Sequence, residues 1–189
     1  VRDVPAMRNR LETIAQQVGE IDILVNNAGY EQVCPSYELT EETWDTIMET
    51  NLKGAFFAAQ VAAHSMVRSS RGGAIVNVCS LTSYVGVPTA VPYGSSKSGL
   101  LGMTRALSTE WASEQIRVNA IAPGYFRTEL TESFYREQAW QEAMLQKIPL
   151  NSFGNVNDLK GAVVFLVSDA AKYITGQCLA IDGGYLASI

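Results

Sequence analysis

Histidine is almost absent from this chain of 189 residues; His64, in Ala62-Ala63-His64-Ser65-Met66, is the only one. Nothing beside it in sequence completes a catalytic triad or a metal set, so it reads as structural or as part of an interface. Cysteine is nearly as scarce. Cys34, Cys79 and Cys178 are odd in number, widely spaced and in no CxxC pair, which argues against a disulfide framework or a zinc site and for a reducing compartment. They read as small core residues, with Cys79 nearest to the chemistry described below. Basic charge is also short, since 14 Lys and Arg face 19 Asp and Glu for a net charge of −5. Without a basic surface, neither nucleic acid nor an anionic membrane is an expected partner. Long apolar runs are missing too. A stretch such as Ala162 to Val167 is far too short to span a bilayer, and the first residues lack the regions of a signal peptide. The expectation is a cytoplasmic protein.

What remains is 47% hydrophobic and 17% charged, the balance of one soluble domain large enough to bury a core. Met7, Leu11, Ile14, Ala15 and Val18 share one helical face, and Gly19 is placed to end that helix. Ile21 to Val25 reads as a buried strand. Thr40 is an expected N-cap with Glu41 and Glu42 in the first turn, where acidic charge meets the helix dipole favourably. The helix it opens is expected to run to about Val67. A β-branched run from Ala74 to Val78 follows Arg71-Gly72-Gly73, then a loop over Leu81 to Thr89 and a helix from Val91 to Ser113. Ile116 to Ala122 reads as a strand ended by Pro123-Gly124, Thr131 to Lys147 as a helical flap, Asp158 to Val167 as a helix and Cys178 to Ile181 as a last strand. Strands alternating with helices predict an α/β fold, a doubly wound parallel sheet in a single domain.

Three polar residues stand out against this background. Tyr93 and Lys97 lie one helical turn apart and share a face. An ammonium beside a phenol favours the ionised form, which brings a group with an ordinary pKa near 10 toward use as an acid or base at neutral pH. Ser80, at the end of the run Ala74 to Cys79, is placed to orient a substrate oxygen beside that phenol. The set is a proton-transfer site built without histidine. Asn51 is in register with Trp44, Ile47, Met48 and Ala55, so its amide points into an apolar stripe and needs partners. It reads as a core amide satisfied by nearby backbone.

Asn26-Asn27-Ala28-Gly29, Asn51, Ser80, Tyr93, Lys97 and Pro123-Gly124 with Thr128, in that order and at those intervals, resemble the short-chain dehydrogenase/reductase family along the whole chain. The resemblance implies a Rossmann-like domain that moves a hydride between NAD or NADP and a small-molecule carbonyl or secondary alcohol, with no metal. It implies Tyr93 as general acid/base, Ser80 as the residue that positions the substrate oxygen, and Lys97 as the residue that tunes Tyr93 and holds the nicotinamide ribose. Asn51 would support a proton-relay water. Asn26, Ala28 and Gly29 would pack against the adenosine and ribose, with Asn26 and Asn27 also bracing the sheet as strand-end residues, and Pro123, Gly124 and Thr128 would contact the nicotinamide carboxamide.

The chain departs from that family in one respect: the opening strand and TGxxxGxG phosphate loop do not occur in its 189 residues. The N-terminal βα units of the fold are therefore expected to be absent, residues 1–189 to form the C-terminal two-thirds or more of one Rossmann-like domain, and Val1-Arg2-Asp3 to be the tail of a strand. The strand Ile21 to Val25 would then form an open apolar edge, which invites aggregation. The determinant of NAD against NADP would be missing as well. A catalytically inactive scaffold or assembly partner is the rival reading.

Small residues crowd two helices, with Gly54, Ala55, Ala58, Ala59, Ala62 and Ala63 on one and Gly94, Gly99, Gly102 and Ala106 on the other. On faces turned from the sheet they would permit close packing between subunits, and the resemblance implies a homotetramer or homodimer. The segments Leu52 to Phe57 and Leu179 to Ala187 resemble most the branch acting on sugar acids and polyols, of the gluconate 5-dehydrogenase type, with 3-oxoacyl carrier-protein reductases close behind. The acidic surface speaks mildly against an acidic carrier protein. The flap would carry specificity, with Arg136 as a candidate partner for a carboxylate or else a solvated charge.

Overall fold

The computed structural model describes residues 1–128, 131 and 134–189. Four parallel strands, β1 (Ile23–Asn26), β2 (Gly73–Val78), β3 (Ile116–Pro123) and β4 (Cys178–Ile181), lie side by side in chain order. Val25 pairs with Val76, Asn77 with Ala120, and Ala120 with Cys178. Parallel neighbours need crossovers, and these supply helices for both faces of the sheet. The helices are α1 (Val4–Val18), α2 (Glu41–Met48), α3 (Gly54–Ser69), α4 (Val91–Glu110), α5 (Gln138–Leu145) and α6 (Asp158–Val167).

Successive strand residues point to opposite faces. Ile75, Ile116 and Val118 meet Ala59, Ala62 and Met66 of α3 and Leu107 of α4, whereas Val76 and Ile121 meet Leu166 of α6. With both faces covered, the strands carry continuous apolar runs instead of alternation, as the doubly wound reading expected. β1 is hydrogen-bonded on the β2 side, has no second strand partner among the described residues, and leaves Ile23 49% and Val25 40% exposed. No helix among the described residues is long and apolar enough to cross a membrane.

Several elements differ from their sequence expectations for identifiable reasons. The first helix starts at Val4, because the Asp3 carboxylate accepts the Ala6 N–H at 2.9 Å and Pro5 suits the first turn. Val1 to Asp3 thus lead directly into that helix. Thr40 does cap α2, accepting the Thr43 N–H at 3.2 Å, but the expected long helix is broken by a π-turn over Glu49–Lys53 before α3 begins. Such a turn inserts a residue without ending the helix, and apolar spacing does not reveal it. α4 stops at Glu110, followed by a short 3-10 turn at Ala112–Glu114. In the flap, a 3-10 turn at Phe134–Arg136 precedes α5, and part of the expected helix lies outside the described residues. The small residues of α3 are also not on a free face: Ala55, Ala58, Ala59, Ala62 and Ala63 are buried within the chain, where α3 packs against α1, β1 and β2.

Candidate active site

The carboxyl ends of β1, β2 and β3 open onto one cavity of about 580 Å³. In open parallel sheets this is where ligands bind. β2 delivers Cys79 and Ser80 to its floor; the Ser80 Oγ accepts the Thr82 N–H at 3.2 Å and so caps the turn Leu81–Ser83. Pro92 sits in the first turn of α4, which carries Tyr93 and Lys97 into the same space. The Lys97 Nζ donates to the Val78 carbonyl at 2.6 Å and lies 5.6 Å from the centre of the Tyr93 ring. Ser80 is close enough to the phenol to favour its ionised form. The three residues singled out from sequence are thus brought together.

Their electrostatics differ from the sequence expectation. Burial raises the Tyr93 phenol well above its ordinary range and the Glu31 carboxylate pushes the same way, while Ser80 opposes them. Burial also pulls the Lys97 ammonium down to about 8. Lys97 was expected to hold the phenol ionised, but both groups are desolvated, and desolvation disfavours phenolate and ammonium alike. A neutral phenol is the form that donates a proton.

Asn51 lies on the π-turn and is fully buried. Its Oδ1 accepts the Tyr30 N–H at 2.8 Å; its Nδ2 donates to the Tyr30 carbonyl at 2.9 Å and to the Ser96 hydroxyl at 3.0 Å. The amide is satisfied by backbone and serine, as one of the two sequence readings had it. A β-carbon at Gly29 would stand 3.7 Å from Lys97 Nζ and 3.8 Å from Asn51 Oδ1, so glycine keeps the space between these groups open to a ligand. Asn26 faces inward: its Nδ2 donates to the Ala55 carbonyl at 3.1 Å and to Asn77 Oδ1 at 2.9 Å, which makes it a brace, whereas Asn27, Ala28 and Gly29 line the cavity. Pro123, Gly124 and Thr128 line it from the β3 side. A β-carbon at Gly124 would come within 2.6 Å of the Asp182 Cα, so that glycine is required by the approach of the β4 end.

Sequence reasoning missed three groups. Glu31 lines the cavity two residues beyond Gly29, a position at a strand mouth that could have flagged it. Thr82 Oγ1 and Tyr135 OH are buried cavity-wall atoms with no hydrogen-bond partner among the described residues. Such atoms are rare in folded chains and point to a ligand. Tyr135 belongs to an aromatic cluster with Trp140 at 5.2 Å and Phe153 at 4.8 Å, which fastens the flap against the body of the domain. Arg136 is exposed and does not line the cavity.

The donor set suits a ribose and a nicotinamide ring. Lys97 has three N–H donors and uses one on Val78, and the cavity walls at Asn27 to Gly29 and at Gly124 to Thr128 offer main chain to a flat ring.

Known proteins bear on this arrangement. A family model described as Enoyl-(Acyl carrier protein) reductase matches residues 1–186. The chain is 40% identical over 184 residues to 2-dehydro-3-deoxy-D-gluconate 5-dehydrogenase from Escherichia coli, covering 97% of this chain and 72% of that one. It is 40% identical over 184 residues to 3-oxoacyl-(acyl-carrier-protein) reductase from Thermotoga maritima, covering 97% and 74%. Among solved structures, gluconate 5-dehydrogenase from Burkholderia cenocepacia in complex with NADP and tartrate superposes with a TM-score of 0.97 at 34% identity, over 100% of this chain and 73% of that one.

Proposed function

The chain belongs to the short-chain dehydrogenase/reductase family, and from that premise we propose that its cavity is the active site of an oxidoreductase in which Tyr93 is the general acid/base. The observation that carries this reading is the convergence of Ser80, Tyr93 and Lys97 at the carboxyl end of the sheet. Bound NAD or NADP supplies hydride transfer at the substrate carbon.

The remaining chemistry belongs to the chain. Ser80 and Tyr93 hold the substrate oxygen by hydrogen bonds. In reduction the Tyr93 O–H bond breaks and its proton goes to the carbonyl oxygen as the hydride reaches the carbon; in oxidation the phenolate takes the hydroxyl proton back. Protonating the phenol again falls to Lys97 and to water in the space it shares with Asn51 above Gly29. Lys97 fits this part because a group titrating at about 8 exchanges protons near neutral pH. Asn27, Ala28, Gly29 and Lys97 would hold the ribose end of the cofactor, and Pro123, Gly124 and Thr128 its carboxamide.

The substrate is a carbonyl compound or secondary alcohol of the sugar-acid or polyol class. The similarity to a 3-oxoacyl reductase makes a 3-oxoacyl thioester the second reading. We place the protein in the cytoplasm as a homotetramer or homodimer. Tyr93→Phe tests the central role: turnover should fall by at least about a hundredfold while the thermal unfolding curve is kept. A folded, active variant would remove Tyr93 from the chemistry.

A further inference from the structure

Two charged side chains line the cavity among the described residues, Lys97 and Glu31. Lys97 is 3% exposed and engaged with Val78 beneath the reacting groups. Arg127 and Arg136 are exposed and stand outside the wall. Beyond Lys97, the described wall presents one charged group to an incoming substrate, the Glu31 carboxylate, and the Arg127 guanidinium acts on it only from outside, through the Tyr135 phenol.

The position of Glu31 is set by its neighbours. Asn51 grips the Tyr30 backbone from both sides, through its N–H at 2.8 Å and its carbonyl at 2.9 Å. Three residues beyond Glu31, the Cys34 N–H donates to the Thr89 carbonyl at 2.9 Å. The short segment between these anchors turns Glu31 into the cavity, where its charge is felt by both Tyr93 and Lys97. No described residue gives its carboxylate a hydrogen bond or an ion pair. Of the two unpartnered hydroxyls in the wall, Thr82 Oγ1 and Tyr135 OH, the second is complementary to Glu31: the Tyr135 side chain is only 6% exposed and its hydroxyl has no partner among the described residues. Among the described residues, the Glu31 carboxylate as acceptor and the Tyr135 hydroxyl as donor thus stand unpartnered beside a reacting centre that already has its own acid.

We propose that Glu31 and Tyr135 form the substrate-recognition pair of this site, Glu31 accepting from a hydroxyl or ammonium beside the reacting carbon and repelling a carboxylate there. The inference rests on the oxidoreductase reading and narrows it: within the polyol and sugar-acid class, the uncharged or cationic member is the substrate. A site carboxylate left facing a like charge discriminates more sharply than an apolar wall, because the penalty is both repulsion and an unpaired buried group.

Glucitol, 1-amino-1-deoxyglucitol and gluconate share one carbon skeleton and end in a hydroxymethyl, an aminomethyl and a carboxylate group. Their binding to the purified protein is measured by calorimetry, with wild type, Glu31→Gln and Tyr135→Phe. Wild type should bind the first two at least about tenfold more tightly than gluconate. Glu31→Gln should shrink that ratio by about tenfold, with the amine losing most, and should leave cofactor affinity unchanged. Tyr135→Phe should weaken all three by about tenfold and leave the ratio as it was. Gluconate binding as tightly as glucitol, no binding of any of the three, or a ratio unmoved in Glu31→Gln overturns the proposal; unchanged binding in Tyr135→Phe removes Tyr135 from it. Formation of NADH or NADPH is followed in parallel. Charge-selective binding without turnover of any alcohol would overturn the oxidoreductase reading and leave the pair standing, and turnover with an unmoved ratio would do the reverse.

Discussion

Replacing Lys97 by methionine should erase a specific pH dependence of stability. In the folded chain Lys97 titrates at about 8 instead of its ordinary 10.5, because its ammonium is buried. A group whose folded pKa is lowered in this way loses its proton first in the native state, so between the two values the unfolded chain binds more protons and raising the pH favours folding. Below about pH 8 both states are protonated and nothing is gained; above about 10.5 the gain is complete at about 3 kcal/mol. Relative to about pH 7, the contribution reaches about 1.4 kcal/mol near pH 9 and about 2.5 kcal/mol near pH 10. The assay is urea unfolding of wild type and Lys97→Met across this range. Other groups contribute there as well, among them Cys178, pulled down to about 7 chiefly by its hydrogen bond to Cys79, and the tyrosines, which burial raises in the folded chain and which lose their protons near pH 10 once unfolded. Since they are common to both proteins, they drop out of the difference in unfolding free energy. The absolute offset also contains the lost Lys97 to Val78 hydrogen bond, so the test is the slope. A difference that stays flat from about pH 7 to 10 would mean that Lys97 is solvated, and with it would go the account of Lys97 as a proton carrier near neutrality.

Two further outcomes are expected beside those for Tyr93 and Glu31. Asn51→Ala removes three hydrogen bonds from a fully buried position and should cost about 2–4 kcal/mol in urea unfolding; a loss under about 1 kcal/mol would mean that the Tyr30 loop is held by other means. Sedimentation equilibrium should return two or four times the chain mass of 20.5 kDa, because Leu52, Phe56, Phe57 and Met103 line an apolar surface recess around Gly99 between the π-turn and α4, and a monomer would remove the proposed assembly.

The sheet was legible because parallel strands buried on both faces leave an unmistakable record: β-branched runs such as Ile75-Val76 between Gly72-Gly73 and the next helix. Helix starts were legible where a side chain caps them, as at Thr40, and misplaced where the cap lay upstream of the apolar pattern, as at Asp3. The π-turn around Asn51 left no trace in apolar spacing, although it sits under the site. Ser80, Tyr93 and Lys97 could be read because their spacing is tied to one turn of one helix and one strand end. The protonation of Tyr93 could not, since it depends on how much water the fold excludes, and that is set by side chains from β1, the flap and the loop after β3. Glu31 was overlooked because a single acidic residue in a loop looks like any solvated charge until a cavity is seen to enclose it.

The sheet alone does not fix the distances within this site. Strand order brings the ends of β1, β2 and β3 together, but Glu31 is five residues past β1 and Lys97 is nearly two turns into α4. The gap is closed by side-chain amides. Asn26 donates to Asn77 at 2.9 Å and Asn77 to the Thr104 hydroxyl at 2.9 Å, a chain that ties β1 through β2 to α4. Asn51 then bridges Tyr30 and Ser96, the residues immediately before Glu31 and Lys97. One buried amide thereby sets the spacing between the group that would choose the substrate and the group that would return the proton. Two functions hung from one amide should fail together. If Asn51→Ala keeps enough structure to be assayed, the preference among glucitol, its amine and gluconate should blur in the same variant in which turnover falls, whereas a role limited to holding a relay water would lower turnover and leave that preference as it is.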